Sequence, residues 1–196
     1  MKMKIAVLAL AVMGIFSANA ADDDLGLITF DGAVSGETCK MTTNNGIDAH
    51  NVTITMLTVS KSLVEGTTIA AGGVGSTTFD LKLTDCDPTL SKAHIAFTSQ
   101  QFADLTTGTL KADPSVTGAA KNVNIALYNN GNGNTDQVII GDPAGQGTQE
   151  VDLGTTHGGV FGFRAAYVPS ADFDIANNPV APGKVNANAT FTLSYE

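Results

Sequence analysis

The sequence predicts an all-β sandwich, and three observations support this fold class. Gly, Thr, Asn and Asp recur along the whole chain, and they suit turns and strands better than helix interiors. Short runs of alternating apolar and polar residues appear at spacings typical of a sandwich. The clearest run closes the sequence at residues 185–195, where every second residue is apolar or aromatic.

The first twenty residues predict a secretory signal peptide. Lys2 and Lys4 form a basic region, residues 5–16 form an apolar run, and Ala18 and Ala20 supply the small-residue cleavage pattern. A membrane anchor is the weaker interpretation, because a spanning helix needs roughly 20 apolar residues. We therefore expect cleavage after Ala20 and a mature chain of residues 21–196.

The charge of the mature chain excludes two classes of partner. Removal of Lys2 and Lys4 leaves 8 basic against 19 acidic residues, a net charge of −11. Nucleic acids and anionic membrane surfaces repel such a chain. No later apolar run is long enough to span a bilayer, so we expect an exported protein of one domain, without membrane insertion.

The start of the mature chain, residues 25–39, reads LGLITFDGAVSGETC. Ile28, Phe30 and Val34 lie on its apolar face, and a glycine, Gly32, takes the position between Phe30 and Val34 on that face. Glycine weakens a strand interior and usually marks a bulge or a close approach by another backbone. The segment is therefore either a first strand with a bulge or a strand docked in a groove too narrow for a side chain.

Six further segments are predicted to be strands. Each is a short run rich in apolar or β-branched residues, and together they cover residues 52–56, 79–83, 93–97, 123–127, 138–140 and 161–167. The Asn- and Gly-rich residues 129–134 read as a turn, and the proline-containing residues 169–183 read as a long loop.

Cys39 and Cys86 are the two cysteines of a chain with an export signal, and an even count in an oxidising compartment predicts one disulfide. Closing a loop of this length stabilises a fold by about 4 kcal/mol in the chain-entropy model. A metal site is less favoured, because the short cysteine spacings and partner histidines of such sites are missing.

The terminal run has the period of a strand with one buried face. Polar residues separate its apolar positions, which are Val185, Ala187, Ala189, Phe191, Leu193 and Tyr195. The run ends one residue before Glu196, and we expect the other edge of this strand to be left uncovered by the chain itself.

These features resemble the pilins of chaperone–usher fimbriae, in particular type 1-like major fimbrial subunits. The resemblance covers nearly the whole mature chain and rests on four motifs in order. The motifs are Ile28-x-Phe30-x-Gly32-x-Val34 before Cys39, Phe79-x-Leu81-x-Leu83-x-x-Cys86-Asp87, Phe161-x-Phe163-x-Ala165-x-Tyr167, and the terminal run from Gly183 to the penultimate Tyr195. Two departures are Glu37-Thr38, where many relatives have Ala-Pro, and a longer interval between the cysteines.

The resemblance implies an incomplete immunoglobulin-like sandwich that lacks its final strand. Residues 21–36 would be a donor-strand extension and residues 37–196 the pilin domain. Ile28, Phe30 and Val34 would then fill pockets in a neighbouring copy, Gly32 would pass where the groove is shallow, and the terminal strand would line that groove. Pilin donor-strand complementation is itself a known example of β-strand addition.

The resemblance also implies partners and a location. A periplasmic chaperone would first cover the groove, contacting Phe191, Leu193, Tyr195 and the terminal carboxylate of Glu196. The subunit would then pass to an outer-membrane usher and join copies of itself or other pilins. The protein would leave through the periplasm and build a surface fimbria that supports adhesion.

Other functions are weaker. His50, His94 and His157 lie far apart in sequence, G-x-S-x-G is missing, and Gly72-Gly73-x-Gly75-Ser76 lacks the end of a phosphate loop, so we expect no enzyme and no cofactor. Residues 129–136 carry oxygen donors suited to calcium but not the full loop pattern. A tip adhesin would need a receptor-binding domain in front, whereas a minor adaptor or a terminator pilin shares the pattern.

Overall fold

The computed structural model describes residues 39–43, 52–131, 133–142 and 147–196. Its strands are β1 (Lys40–Thr43), β2 (Val74–Thr84), β3 (Lys92–Thr98), β4 (Ala103–Asp104), β5 (Thr109–Lys111), β6 (Val123–Asn129), β7 (Gln137–Val138), β8 (Glu150–Asp152), β9 (Gly159–Pro169) and β10 (Thr190–Tyr195). One short helix, α1, spans Lys61–Glu65. The all-β prediction is confirmed.

The strands form two antiparallel sheets. The larger has the order β1-β2-β9-β6-β5-β4, with β7 also paired to β6. The smaller has the order β10-β3-β8. Predicted strands 79–83, 93–97, 123–127 and 161–167 lie within β2, β3, β6 and β9. The predicted strand 138–140 is mostly wrong, because β7 ends at Val138 and residues 139 and 140 belong to no strand.

The main core lies where the two sheets face each other. Phe97 of β3 meets Phe163 of β9 edge-to-face, with ring centroids 5.0 Å apart. Phe161 and Phe163 are fully buried, as are Leu81 and Leu83 of β2. Since the apolar positions of β2 and β9 alternate, each strand sends its large side chains to the same side of the larger sheet. This face supports the smaller sheet.

The predicted strand at residues 52–56 is wrong. These residues belong to no strand, although Val52 and Met56 are half-buried against the main core and the residues between them alternate in exposure. Alternation reports which side chains face the core, whereas a strand also requires a neighbour that pairs with its backbone.

The helix α1 was not predicted from the sequence. It is a single turn whose Val64 is buried, and Lys61 and Glu65 form an ion pair at 3.3 Å. Five residues are too few to show a helical period. The Glu65 carboxylate also accepts a hydrogen bond from the Val180 backbone N–H at 3.0 Å, which ties α1 to the predicted loop 169–183.

Cys39 and Cys86 form the predicted disulfide, and their Cα atoms are 4.0 Å apart. Cys39 directly precedes β1, and Cys86 follows the end of β2. The register of the two strands pairs Lys40 with Thr84, which brings both cysteines to the same end of the pair. The bond therefore adds a covalent link to the pairing of β1 with β2.

Candidate functional site

The predicted groove strand is β10, which lies at an edge of the smaller sheet. Its register with β3 places Thr190 opposite Thr98 and Tyr195 opposite Ala93. Within the ranges that the structure describes, no strand pairs with the other edge of β10. An edge strand displays a row of backbone N–H and C=O groups, so β10 offers a template for a further strand.

The apolar face of β10 is attached to the core but only partly covered. Phe191, Leu193 and Tyr195 are half-buried and pack against the main core, whereas the residues between them are exposed. The ring of Phe191 lies 6.2 Å from that of Phe97, centroid to centroid. Phe163 on β9, by contrast, is completely buried. Another strand beside β10 could therefore bury more of this apolar row.

The terminal strand is shorter than predicted, since its pairing begins at Thr190 and not at residue 185. Thr190 pairs with Thr98, the last residue of β3, and β3 then gives way to a turn. The backbone before β10 bonds elsewhere, because the Asn186 carbonyl accepts a hydrogen bond from Asp113 N–H at 2.7 Å. The pairing therefore ends where β3 ends.

Val185, Ala187 and Ala189 nevertheless keep the predicted alternation, since each is half-buried and the residues between them are exposed. Val185 packs against a second apolar cluster, away from the main core, that contains Val64, Ala120, Val123 and Val180. The predicted apolar face is thus present along residues 185–195, but its two ends pack against different clusters. Val185 packs against the second cluster, whereas Phe191, Leu193 and Tyr195 pack against the main core.

The end of the chain is held by the turn before β3, which sequence reasoning missed. A main-chain carboxylate oxygen of Glu196 accepts hydrogen bonds from Ser91 N–H at 2.6 Å, the Ser91 hydroxyl at 3.1 Å and Lys92 N–H at 3.2 Å. Glu196 N–H in turn donates to the Lys92 carbonyl at 3.0 Å. The only sequence signal for this contact is that residues 85–91 contain turn-forming residues. This pattern does not identify Glu196 as the residue that the turn contacts.

Ionisable side chains cross the smaller sheet beside this contact. Lys92 Nζ lies 2.6 Å from Glu150 Oε1, and this hydrogen bond raises the pKa of Lys92. His94 Nε2 lies 3.7 Å from Glu150 Oε2 and 3.5 Å from Glu196 Oε1. These contacts link β8, β3 and the C-terminal residue, and the exposed Lys92–Glu150 pair contributes little by itself.

The predicted donor-strand residues Ile28, Phe30, Gly32 and Val34 lie outside the described residues, as do residues 1–20 and 21–36. Their roles stay predictions.

Two other kinds of site were searched for in the described ranges. There, no three or more His, Cys, Asp or Glu side chains are grouped so that they could hold a metal ion. In these ranges, no helix has the length and the apolar character that a membrane span requires.

The chain resembles known fimbrial proteins over nearly its full length. A family model described as Fimbrial protein matches residues 28–196. The probable major fimbrial subunit LpfA of Escherichia coli O157:H7 is 30% identical, covering 99% of this chain and 98% of its own. The major fimbrial subunit SMF-1 of Stenotrophomonas maltophilia is 33% identical, covering 91% and 95%. Long polar fimbria protein A of Salmonella typhimurium is 30% identical, covering 99% and 98%. With its all-β sandwich and these full-length matches, the chain belongs to the fimbrial protein family.

Proposed function

We propose that this structural subunit is the repeating shaft subunit of a surface fimbria, and that copies join through β10. Membership of a fimbrial family supports a structural and not a catalytic role. The observation that supports β10 as the joint is its half-buried row of Phe191, Leu193 and Tyr195 beside a backbone edge that no described strand pairs with. A strand added there would satisfy the backbone and cover the row.

The proposed occupant in the fibre is the N-terminal segment of the next copy. Ile28, Phe30 and Val34 alternate as β-strand addition requires, and burying each contributes about 1.5–3 kcal/mol. Each main-chain hydrogen bond adds about 0.5–1.5 kcal/mol. A head-to-tail contact that repeats without closing produces a helical filament.

The proposed occupant before assembly is a periplasmic chaperone, which would deliver the subunit to an outer-membrane usher. The chaperone would pair with β10 and approach Glu196. Because Ser91 and Lys92 already donate to a carboxylate oxygen of Glu196, the chaperone would meet a chain end that is held in place. Its contacts would add to these bonds or replace them.

A matched pair of double variants tests the role of the apolar row. Phe191→Ser with Leu193→Ser removes the core-facing side chains, whereas Thr192→Ala with Ser194→Ala changes exposed positions of the same strand. We expect the first variant to lose co-purification with the chaperone and the second to retain it. Phe191→Leu, which keeps an apolar side chain, should also retain it. Equal chaperone recovery from both double variants would contradict the proposal.

A second candidate is a minor adaptor or terminator pilin. The full-length matches to proteins named as major fimbrial subunits favour the shaft role. Electron microscopy of cells that lack this one gene distinguishes the two. Loss of all fibres indicates a shaft subunit, whereas altered tips or lengths indicate a minor one. A carbohydrate-binding adhesin is the weakest candidate.

A further inference from the structure

Two exposed apolar side chains, Leu105 and Ile139, lie beside each other on the surface. Leu105 stands on the turn between β4 and β5 and is 76% exposed, and Ile139 follows β7 and is 40% exposed. An added Cβ at Gly141 would come within 2.5 Å of Leu105 Cδ2, and one at Gly108 would come within 3.0 Å of Ile139 Cδ1. Each side chain thus lies against the segment that carries the other, and together they form an apolar patch.

The patch lies near the end of the smaller sheet at which β10 begins. Thr190, the first residue of β10, pairs with Thr98 at the end of β3. The carbonyl of Phe97 accepts a hydrogen bond from Gly141 N–H at 2.9 Å, and Leu105 packs on Gly141. The patch is therefore across β3 from the start of β10, at the opposite end from the C-terminus.

The proposed donor strand brings one particular part of the next copy to this end. Every strand pairing in the two described sheets is antiparallel. An added strand that continues this pattern runs opposite to β10, so Val34 would dock beside Thr190. The five steps from Val34 to Cys39 span at most about 17 Å. The Cys39 end of the next copy is therefore held near the patch.

An open cavity of about 390 Å³ lies at the Cys39 end of the domain. Residues 82–85 and 156–160 line it. The cavity adjoins the disulfide, because Cys86 N–H donates to the carbonyl of the lining residue His157 at 2.9 Å. Val160, also in the lining, is an apolar residue that is 46% exposed. The cavity therefore offers an apolar contact to a side chain that enters it.

We propose that Leu105 of one copy enters this cavity in the next copy of the fibre and packs against Val160. The inference rests on the proposed donor-strand assembly, which sets which ends of two copies meet. The turn that carries Leu105 is already ordered, since the Asp104 carbonyl accepts hydrogen bonds from Thr107 N–H at 3.2 Å and Gly108 N–H at 2.7 Å. Docking a preformed turn costs little conformational entropy.

The contact joins two different surfaces of the same chain. Leu105 belongs to one end of a copy and the cavity to the end that carries the disulfide. Such a head-to-tail contact leaves one Leu105 and one cavity free at the two ends of any row of copies, so it can repeat along the fibre. It would also fix how each copy is oriented after its donor strand has docked.

Cysteine crosslinking within fibres tests the inference. Fibres of the double variant Leu105→Cys with Val160→Cys should give a ladder of disulfide-linked subunits on non-reducing gels. Ile175→Cys with Val160→Cys is the matched control, because Ile175 is 70% exposed but lies on the loop 169–183. It should give no ladder. Fibres of the first variant without a ladder, or equal ladders from both variants, would overturn the inference.

Fibre dissociation provides a second test, in case the cysteine variants do not assemble. Leu105→Ser removes a side chain that the fold leaves exposed, so the monomer should unfold at an unchanged urea midpoint. Its fibres should release subunits into guanidinium chloride about tenfold faster than wild-type fibres, because the buried leucine contact is missing. Ile175→Ser should release them at the wild-type rate. Equal release from the two serine variants would overturn the inference.

The two proposals fail in different ways. Normal fibres from Gly32→Leu would contradict donor-strand assembly itself. Fibres that still depend on Gly32 but show neither the crosslink nor faster release would leave donor-strand assembly intact and refute only the contact of Leu105 with the cavity.

Discussion

Ser91 donates its backbone N–H to a main-chain carboxylate oxygen of Glu196 at 2.6 Å. The two residues lie 105 positions apart in the sequence, and the Ser91 hydroxyl adds a second hydrogen bond to the same oxygen at 3.1 Å. This contact joins the C-terminal end of β10 to the turn before β3. The last residue of the chain therefore helps to hold the strand that we propose as the assembly site.

Ser91→Ala is expected to lower the free energy of unfolding by about 0.5–1.5 kcal/mol, because it removes a hydrogen bond to a charged group but leaves the N–H bond in place. The site is exposed, which keeps the effect at this modest level. Urea unfolding measures the change, and Ser115→Ala, at another exposed serine, serves as the control. Equal stability of the two variants would show that the hydroxyl contributes nothing.

Replacing both Cys39 and Cys86 with serine is expected to lower the free energy of unfolding by about 4 kcal/mol. The disulfide closes a loop with a sequence separation of 47, and removing it frees that loop in the unfolded chain. Urea unfolding of the double variant and of the oxidised wild type gives the difference. Mass spectrometry under non-reducing conditions should show an intramolecular bond, and two free thiols or a linked dimer would contradict this.

Gly32→Leu is expected to abolish fibre assembly while chaperone binding stays normal. A side chain at Gly32 would meet the walls of a neighbour's groove, and overpacking typically costs about 1–3 kcal/mol or more for a large residue. The chaperone complex does not involve residues 25–34 in the proposed mechanism. Electron microscopy of fibres and co-purification of the chaperone measure the two effects separately.

Ala33→Leu provides the matched control for Gly32→Leu, because position 33 lies on the other face of the predicted donor strand. It should assemble into fibres. A separate peptide of residues 25–36 should also insert into the groove of a wild-type subunit. Fibres of normal length from Gly32→Leu would refute the donor-strand role, and loss of chaperone binding would refute the separate roles of the two ends.

Tyr195→Phe is expected to reduce the loss of stability at alkaline pH. Burial raises the pKa of Tyr195 above its ordinary value of 10.0, so the folded chain keeps the phenol proton to a higher pH than the unfolded chain does. The stability that depends on this proton is complete below pH 10 and is lost as pH rises from about 10 through the folded-state pKa. Urea midpoints at pH 9 and pH 11 measure the loss, and identical losses in both proteins would show that Tyr195 does not contribute.

Much of the fold follows from local sequence patterns. The alternating residues of β2, β3 and β9 predict strands because each pattern places large apolar side chains on one face, and the structure buries those faces. The disulfide follows from two cysteines in a chain with a predicted export signal. Residues 52–56 show the limit of such reasoning, since the burial pattern was right but backbone pairing depends on a neighbour that the pattern does not specify.

By itself, the sequence determined the fold class, the disulfide and the apolar face of residues 185–195, because periodicity and cysteine count are local or compositional properties. The tertiary structure decided where β10 begins, since its pairing stops where β3 stops, at Thr98. It also decided that Ser91 holds Glu196 and that the Asn129 side chain bonds to the carbonyl of Gly147. Contacts of this kind join residues far apart in the chain, and their partners are chosen by sheet register and packing, which no single segment encodes.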